Sequence, residues 1–426
     1  SGWFGVLFLL ASAGLGCGAA STCAAAPVVI HPSLTTMTSS ADRMISYRHQ
    51  NHMWQTSDGA THVMINRGTQ SQGNALQLFS TFDGGATWSG GLTLPNSNSQ
   101  TTSDGYIVAD ALYVTYSTSS GAIVFCVMQY DASSHSWSNV ESQTAFSSSS
   151  LVAINPAIAA DSLGTLWLGF VANETSTGNY FIKLLQRTSD AQGWVDTGMV
   201  FGAVDNLSIE RSARPVMTAN GMGMVYTVHQ NIYWAFRNNN WPLAQAWRSQ
   251  LMFTSQSDDT DPYASHFSVV ADARMNIHMV TVDGGRILYF RLADTTPNQA
   301  VNSHWTARWL TKDISSGYPQ VTLVAGNIFI VSNMSTQACV YQSSDGGFTF
   351  TATQQLVHPA PAGGVSYSYP RIETPAVSRS PVPLLQQYDD NNTQRVMYFR
   401  VPAVQVGMVG SDLAPLAADL TCADPL

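Results

Sequence analysis

The stretch Asn155–Val171, NPAIAADSLGTLWLGFV, carries the pattern that the rest of the chain repeats. An apolar run from Pro156 to Ala160 meets a break at Asp161-Ser162-Leu163-Gly164, and alternation resumes from Thr165 to Phe170. Two short strands joined by a tight turn leave this signature. Laying Pro156 on Pro215 brings Arg214–Tyr226 into step, with Gly164 on Gly223 and no gap. His266–Val280 follows with Asp272 at the place of Asp161, and Tyr318–Val331 and Tyr369–Leu385 repeat the opening with small length changes at the turn. Upstream, Gln50–Ile65 places Gly59 on Gly164, and Asp104–Tyr116 is a weaker copy. Roughly seven units at a period of about 50 residues fall in the range of solenoids, propellers and arrays.

Each unit continues with a further β-rich segment, a polar turn and usually an aromatic: Leu76–Trp88, Ile123–Trp137, Tyr180–Trp194, Ile232–Trp241, Ile287–Trp305 and Cys339–Phe350. Four short strands per unit is the anatomy of a propeller blade, and the lack of a helical period argues against most solenoids. The sequence therefore predicts an all-β chain: a seven-bladed β-propeller of four-stranded antiparallel blades, preceded by an apolar N-terminal segment. The expected boundaries are an export signal or membrane anchor over 1–27, a propeller over 28–409 and a C-terminal tail over 410–426. Blades are expected near 45–95, 101–147, 152–202, 208–255, 261–313, 316–360 and 366–404. The last unit is one strand short, and either Val28–Ile30 or Ala403–Val409 is expected to complete it.

Two of the turns bring a family to view. Thr81–Trp88 (TFDGGATW) and Ser343–Phe350 (SSDGGFTF) resemble Asp-box (BNR) repeats, whose pattern is Ser-x-Asp-x-Gly-x-Thr-Trp; the first has Thr for Ser and the second Phe for Trp. Tyr130–Trp137 (YDASSHSW) resembles a degraded third. In such a hairpin Asp83 or Asp345 takes backbone N–H groups, Gly85 or Gly347 permits positive φ, and Trp88 or Phe350 packs between neighbouring sheets. These residues are structural. The resemblance is to the sialidase-like propeller superfamily, covers roughly residues 45–402 as a repeat pattern, and implies fold rather than chemistry.

Composition narrows the partners. The 426 residues are 45% hydrophobic and only 11% charged, with a net charge of -9, so Ser, Thr, Asn, Gln and Gly must build the surface. No basic run exists to neutralise phosphates, which argues against nucleic acid. An anionic substrate stays open, because a few arginines in a pocket dominate the local field. From Ser1 to Ala41 there is no Asp, Glu, Lys or Arg, and Trp3–Leu15 is strongly apolar, the mark of an export signal. Three readings stay open: a cleaved signal peptide, a lipoprotein signal with Cys17 lipidated, and a retained anchor. All three put the globular part outside the cytoplasm, in the periplasm or at the cell surface. Among five cysteines, Cys126 and Cys339 sit in apolar strand patterns and read as buried free thiols. Cys23 and Cys422 flank the propeller at its two ends, and a Cys23–Cys422 disulfide is expected.

The chemistry is sought where a propeller binds ligands, at the entries of the innermost strands. The repeat alignment puts Gln50, Asn155, Arg214, His266, Tyr318 and Tyr369 in one column. Two places on, and so on the same strand face, stand His52, Ala157, Val216, Ser268, Gln320 and Arg371. Polar residues thus collect at one height, the positions beyond read as apolar, and Arg48, His49, Glu210 and Arg211 enrich the same rim. Abstracting the proton α to a uronate carboxylate needs a cation for the developing enolate, a base, and an acid for the leaving oxygen. Arg214 or Arg371 supplies the cation, His52 or His266 the base, and Tyr318 or Tyr369 the acid, with Gln50 and Asn155 as further substrate contacts. Some propellers with BNR-like repeats resemble polysaccharide lyases, and Tyr47–His52 (YRHQNH) is similar to the His-Asn entry of that group.

Other readings keep their place. A sialidase-like glycoside hydrolase needs an arginine triad, nominally Arg48, Arg214 and Arg371, but the Arg-Ile-Pro entry motif of that family is absent. Glu210 is its candidate Tyr partner, and Asp42 and Asp104 are acids with no motif behind them. The bland alternative makes the rim a hydrogen-bonded pore lining, with His49, His62, His229, His278 and His304 structural. No cofactor motif is present, and no His/Asp/Cys spacing reads as a transition-metal site. Two classes follow: an extracytoplasmic lyase on an acidic polysaccharide or other glycan, and a non-catalytic propeller tethered to the membrane by its N-terminus as an extrinsic scaffold subunit of a membrane complex.

Overall fold

A computed structural model describes residues 27–45, 49–71, 73–100, 103–188, 193–206, 211–255, 266–293, 305–310, 317–333, 337–358, 371–390 and 392–404. The described strands form a β-propeller: six four-stranded antiparallel blades and one six-stranded sheet. The first blade is Met53–Gln55, Thr61–Asn66, Leu76–Thr81 and Ser89–Leu94. The second runs from Ser103–Val108 to Ser136–Phe146, the third from Leu151–Ala160 to Val195–Asp205, and the fourth from Ser212–Thr218 to Arg248–Thr254. The fifth runs from Ser268–Ala271 to Trp305–Trp309. In each, the strands follow chain order across the sheet.

The expectation of seven four-stranded blades is corrected, because one sheet gains two strands. Its antiparallel core, Gly317–Val324 to Thr351–Val357, is extended by Val28–Ile30 in parallel on the outer strand and by Val377–Ser378 in parallel on the inner one. A sheet edge presents unpaired N–H and C=O groups, and a passing segment that pairs with them satisfies both.

Closure also differs from expectation. The closing blade is Ile372–Glu373, Val382–Asp390 and Thr393–Val401, completed by Ser33–Ser39 rather than by Val28–Ile30 or Ala403–Val409. The sequence explains the choice. In SLTTMTS the side chains of Thr35, Met37 and Ser39 are buried while Leu34 and Thr36 are exposed, the period-two pattern of a strand with one covered face. Val28 and Val29 are half-exposed and bury no such face. An N-terminal strand thereby completes the sheet built by the last described strands.

The apolar core lies between sheets, not on the axis. Trp234 and Phe236 of the fourth blade pack with Phe267, Met279 and Phe290 of the fifth, and Phe329 of the six-stranded sheet packs with Leu384 and Phe399 of the closing blade. Each such side chain contributes about 1.5–3 kcal/mol on burial. Stacking neighbours therefore supplies the stability and leaves the axial positions available to polar residues.

The two Asp-Gly-Gly turns share one geometry. Asp83 Oδ1 accepts from the Thr87 N–H at 2.9 Å and Gly85 N–H donates to Thr81 Oγ1 at 2.8 Å; Asp345 Oδ1 accepts from Thr349 N–H at 2.9 Å and Gly347 N–H donates to Ser343 Oγ at 2.9 Å. The Thr87 hydroxyl, the Thr87 N–H and the Thr81 hydroxyl, all donated to Asp83, hold its carboxyl down at about 2. Trp88 meets Tyr398 of the closing blade edge-on at 5.5 Å, and Phe350 meets Tyr289 of the fifth blade at 4.7 Å. Each turn thus pins its own sheet to the preceding one. At Gly85, φ is +94° and an added Cβ would sit 2.1 Å from a Tyr398 ring carbon. Gly85→Ala is expected to cost about 2–4 kcal/mol, the sum of a left-handed backbone penalty and overpacking, read as a lower denaturant midpoint.

His62 is a second packing device. It is wholly buried in the first blade, bonded to Ser80 Oγ at 2.7 Å and Thr56 Oγ1 at 3.0 Å, and ringed by Phe82, Tyr130 and Trp137. Burial pushes its pKa down from 6.5 to about 4, against the opposing pull of Asp58 and Asp110. The unfolded chain then takes up a proton that the folded one refuses, so stability is full above pH 6.5 and falls as pH drops toward 4. The loss is about 3 kcal/mol. Thermal melts at both pH values should show this fall shrinking in His62→Gln.

Cys126 is buried and free, as expected, whereas Cys339 is disulfide-bonded rather than free. The expected Cys23–Cys422 pair and the apolar N-terminal segment lie outside the described residues. Among the described residues no helix is long and apolar enough to cross a membrane.

Candidate active site at the axial mouth

The first strands of successive sheets lie beside one another, so their entries converge. The segment His49–His52 crosses this convergence. The His49 ring stacks on Phe267 at 5.5 Å, and Gln50 Nε2 donates to the Pro156 carbonyl at 2.7 Å. Asn51 N–H donates to Asp104 Oδ1 at 2.7 Å, and His52 N–H donates to Glu373 Oε1 at 3.1 Å. These four consecutive residues reach the fifth, third, second and closing blades in turn. Only near the axis are four sheets that close together.

Asp104 is the buried hub of one half of the mouth. Besides Asn51, its Oδ1 accepts from the Arg214 guanidinium, and its Oδ2 accepts from the Ile158 N–H at 2.7 Å. The carboxylate is wholly buried and Arg214 nearly so, which ties the entries of the first four blades through one charge pair. The Arg214 guanidinium is thus held by Asp104.

The other half is a chain of aromatic and ionisable groups. The His266 ring lies 5.0 Å from the Tyr318 ring, and the Arg371 guanidinium stands over that same ring at 4.9 Å. Arg371 and Glu373 are two apart on one strand face, and Glu373 Oε2 accepts from His52 Nδ1 at 2.9 Å. His266 and Arg371 are buried and Tyr318 is half-buried, so the phenol is the most open member. His52 Nε2 is buried and has no hydrogen-bond partner among the described residues.

Backbone strain marks the same rim. Asn155 (φ 53°) and Tyr318 (φ 48°) are both in the left-handed region although neither is glycine and each precedes a proline. At both places the inner strand slips register, between Ile154 and Ala157 and between Gly317 and Gln320. A bulge of this kind re-aims the side chain it carries.

Of the expected site, Gln50, His52, Asn155, Arg214, His266, Tyr318 and Arg371 stand at these inner-strand entries, while Tyr369 lies outside the described residues, as do Arg48 and Glu210. Arg211 belongs elsewhere: it bonds the Ala203 carbonyl and Asp205, which His229 also holds. The positions beyond the rim are not all apolar as expected. Glu373 occupies one of them, wholly buried, and its placement two residues beyond Arg371 in the column was its only sequence signal.

No family model and no curated protein matches this chain. Solved structures are similar in fold. A polysaccharide lyase aligns at 11% identity over 88% of this chain and 96% of its own, with a TM-score of 0.48. An ulvan lyase aligns at 12% identity over 84% and 96%, with a TM-score of 0.49. A lectin from Aleuria aurantia aligns at 12% over 75% and 99%, with a TM-score of 0.45.

Proposed function

We propose that the protein is an extracytoplasmic carbohydrate-active propeller that cleaves an acidic, uronate-containing polysaccharide by β-elimination at the axial mouth. One observation carries this reading: a guanidinium and an imidazole, Arg371 and His266, both pack against the Tyr318 phenol ring, and the Glu373–His52 pair begins two residues along the chain from Arg371. Arg371 pairs with the uronate carboxylate and stabilises the enolate that forms when the α proton leaves. His52 or His266 takes that proton, the C–O bond to the leaving sugar breaks as the ring double bond forms, and Tyr318 protonates the departing oxygen. Backbone strain at Tyr318 supports the assignment, since such strain clusters where a side chain must be aimed. Thr81–Trp88 and Ser343–Phe350 are read as Asp-box repeats that hold the frame of this site.

A non-catalytic, membrane-tethered scaffold is the second reading, favoured by the complete burial of the His52–Glu373 pair. The two separate in one assay. Purified full-length protein is mixed with polygalacturonate, alginate and ulvan, and unsaturated-uronate absorbance is followed. Absorbance that grows with the intact protein and is lost in His266→Ala supports elimination. No absorbance on any of the three overturns it.

A further inference from the structure

The second and third blades part to leave a groove of about 460 Å³, away from the axial entries. Its floor is an aromatic ladder. Tyr106 and Tyr113, cross-strand partners in the second blade, stack at 4.9 Å with their planes only 5° apart, and Tyr113 continues onto Phe125. Across the groove Leu166 lines the third blade, and Arg187 pairs with Glu141 at 2.6 Å while its guanidinium lies over Phe125 at 5.4 Å. Both tyrosines are half-buried. Burial raises the Tyr106 pKa, with the neighbouring Tyr113 adding to it, so the Tyr106 phenol stays protonated.

We infer that this groove binds a neutral pyranose ring of a glycan chain. The ligand class follows from the lining. The outer face of the stacked tyrosine pair accepts the C–H face of a sugar and excludes water from it, while two adjacent phenols and a charged rim meet hydroxyls at the ring edge. Glu141 and Arg187 already neutralise each other, so the groove offers no net charge to hold a carboxylate or sulfate. The volume accommodates one or two sugar rings, within the usual range of small-ligand sites. The inference stands on the groove alone and is independent of elimination at the axis.

Ligand-observed NMR on the full chain tests it, with cellobiose, maltose and lactose as probes. Saturation transfer to at least one probe is expected, lost in Tyr113→Ala and kept in Arg371→Ala. Tyr113→Phe, which retains the ring packing, should weaken binding about threefold to tenfold, the effect of one net hydrogen bond, and decides the matter where Tyr113→Ala does not fold. No transfer to any of the three probes, or transfer undiminished in both Tyr113 variants, overturns the inference. Transfer that vanishes in Arg371→Ala places the sugar at the axis and overturns it equally.

Discussion

Arg371→Ala is expected to lower kcat/KM for elimination from a uronate polysaccharide by about 10³-fold, since it removes the guanidinium that stands over Tyr318 and is proposed to meet the developing enolate. The side chain is nearly buried and stands over Tyr318, so its charge acts in a medium that weakens it far less than water would. Arg371→Lys keeps a positive charge but loses the planar fork and the stacking on the ring, and should recover only part of the loss. Arg214 is held by Asp104. Rates of unsaturated-end formation, compared with thermal midpoints of the same variants, separate a lost clamp from a lost fold. Retention of a tenth or more of the activity in a folded Arg371→Ala protein would place the carboxylate elsewhere.

Asp104→Ala is expected to destabilise the fold by about 3–5 kcal/mol, the cost of leaving a buried partner charge uncompensated. Three donors lose their acceptor at once: Arg214, the Asn51 N–H and the Ile158 N–H. Asp104→Asn keeps the carbonyl oxygen for part of this set and should cost less. The double variant Asp104→Leu, Arg214→Met removes both charges and should regain most of the loss, because a well-packed apolar pair often replaces a buried ion pair at little cost. Chemical denaturation of the three variants measures this. A loss under about 1 kcal/mol in Asp104→Ala would show that the hub bears little of the rim's stability.

The repeat was legible because hydrophobic period and turn chemistry are local. The copies aligned on Pro156 and Gly164 mark the opening strands of the sheets, and the two Asp-Gly-Gly turns carry their bonds within a few residues of chain. The column that holds Gln50, Asn155, Arg214, His266 and Tyr318 was legible for the same reason, since equal places in equal units fall at equal heights around an axis. Three features were not. Ser33–Ser39 closes the last blade although Val28–Ile30 is the more apolar strand, because the choice depends on which segment meets the free edge with one face to bury. Glu373 was passed over because its partner, His52, is 321 residues away in sequence. Cys339 sits in an apolar strand pattern and looked free, yet pairing depends on which sulfur folds against it.

By itself, then, the sequence determined the blade unit, the aromatic and glycine chemistry of its turns, and which residue types gather at the mouth. Those are properties of period and of short-range bonding. The tertiary structure alone decided that Asp104 claims Arg214, that Glu373 orients His52, and that Arg371 and His266 both pack against the Tyr318 ring. Each of these joins different sheets, and which side chains meet across the axis is set by ring closure and by bulges that no single repeat unit encodes.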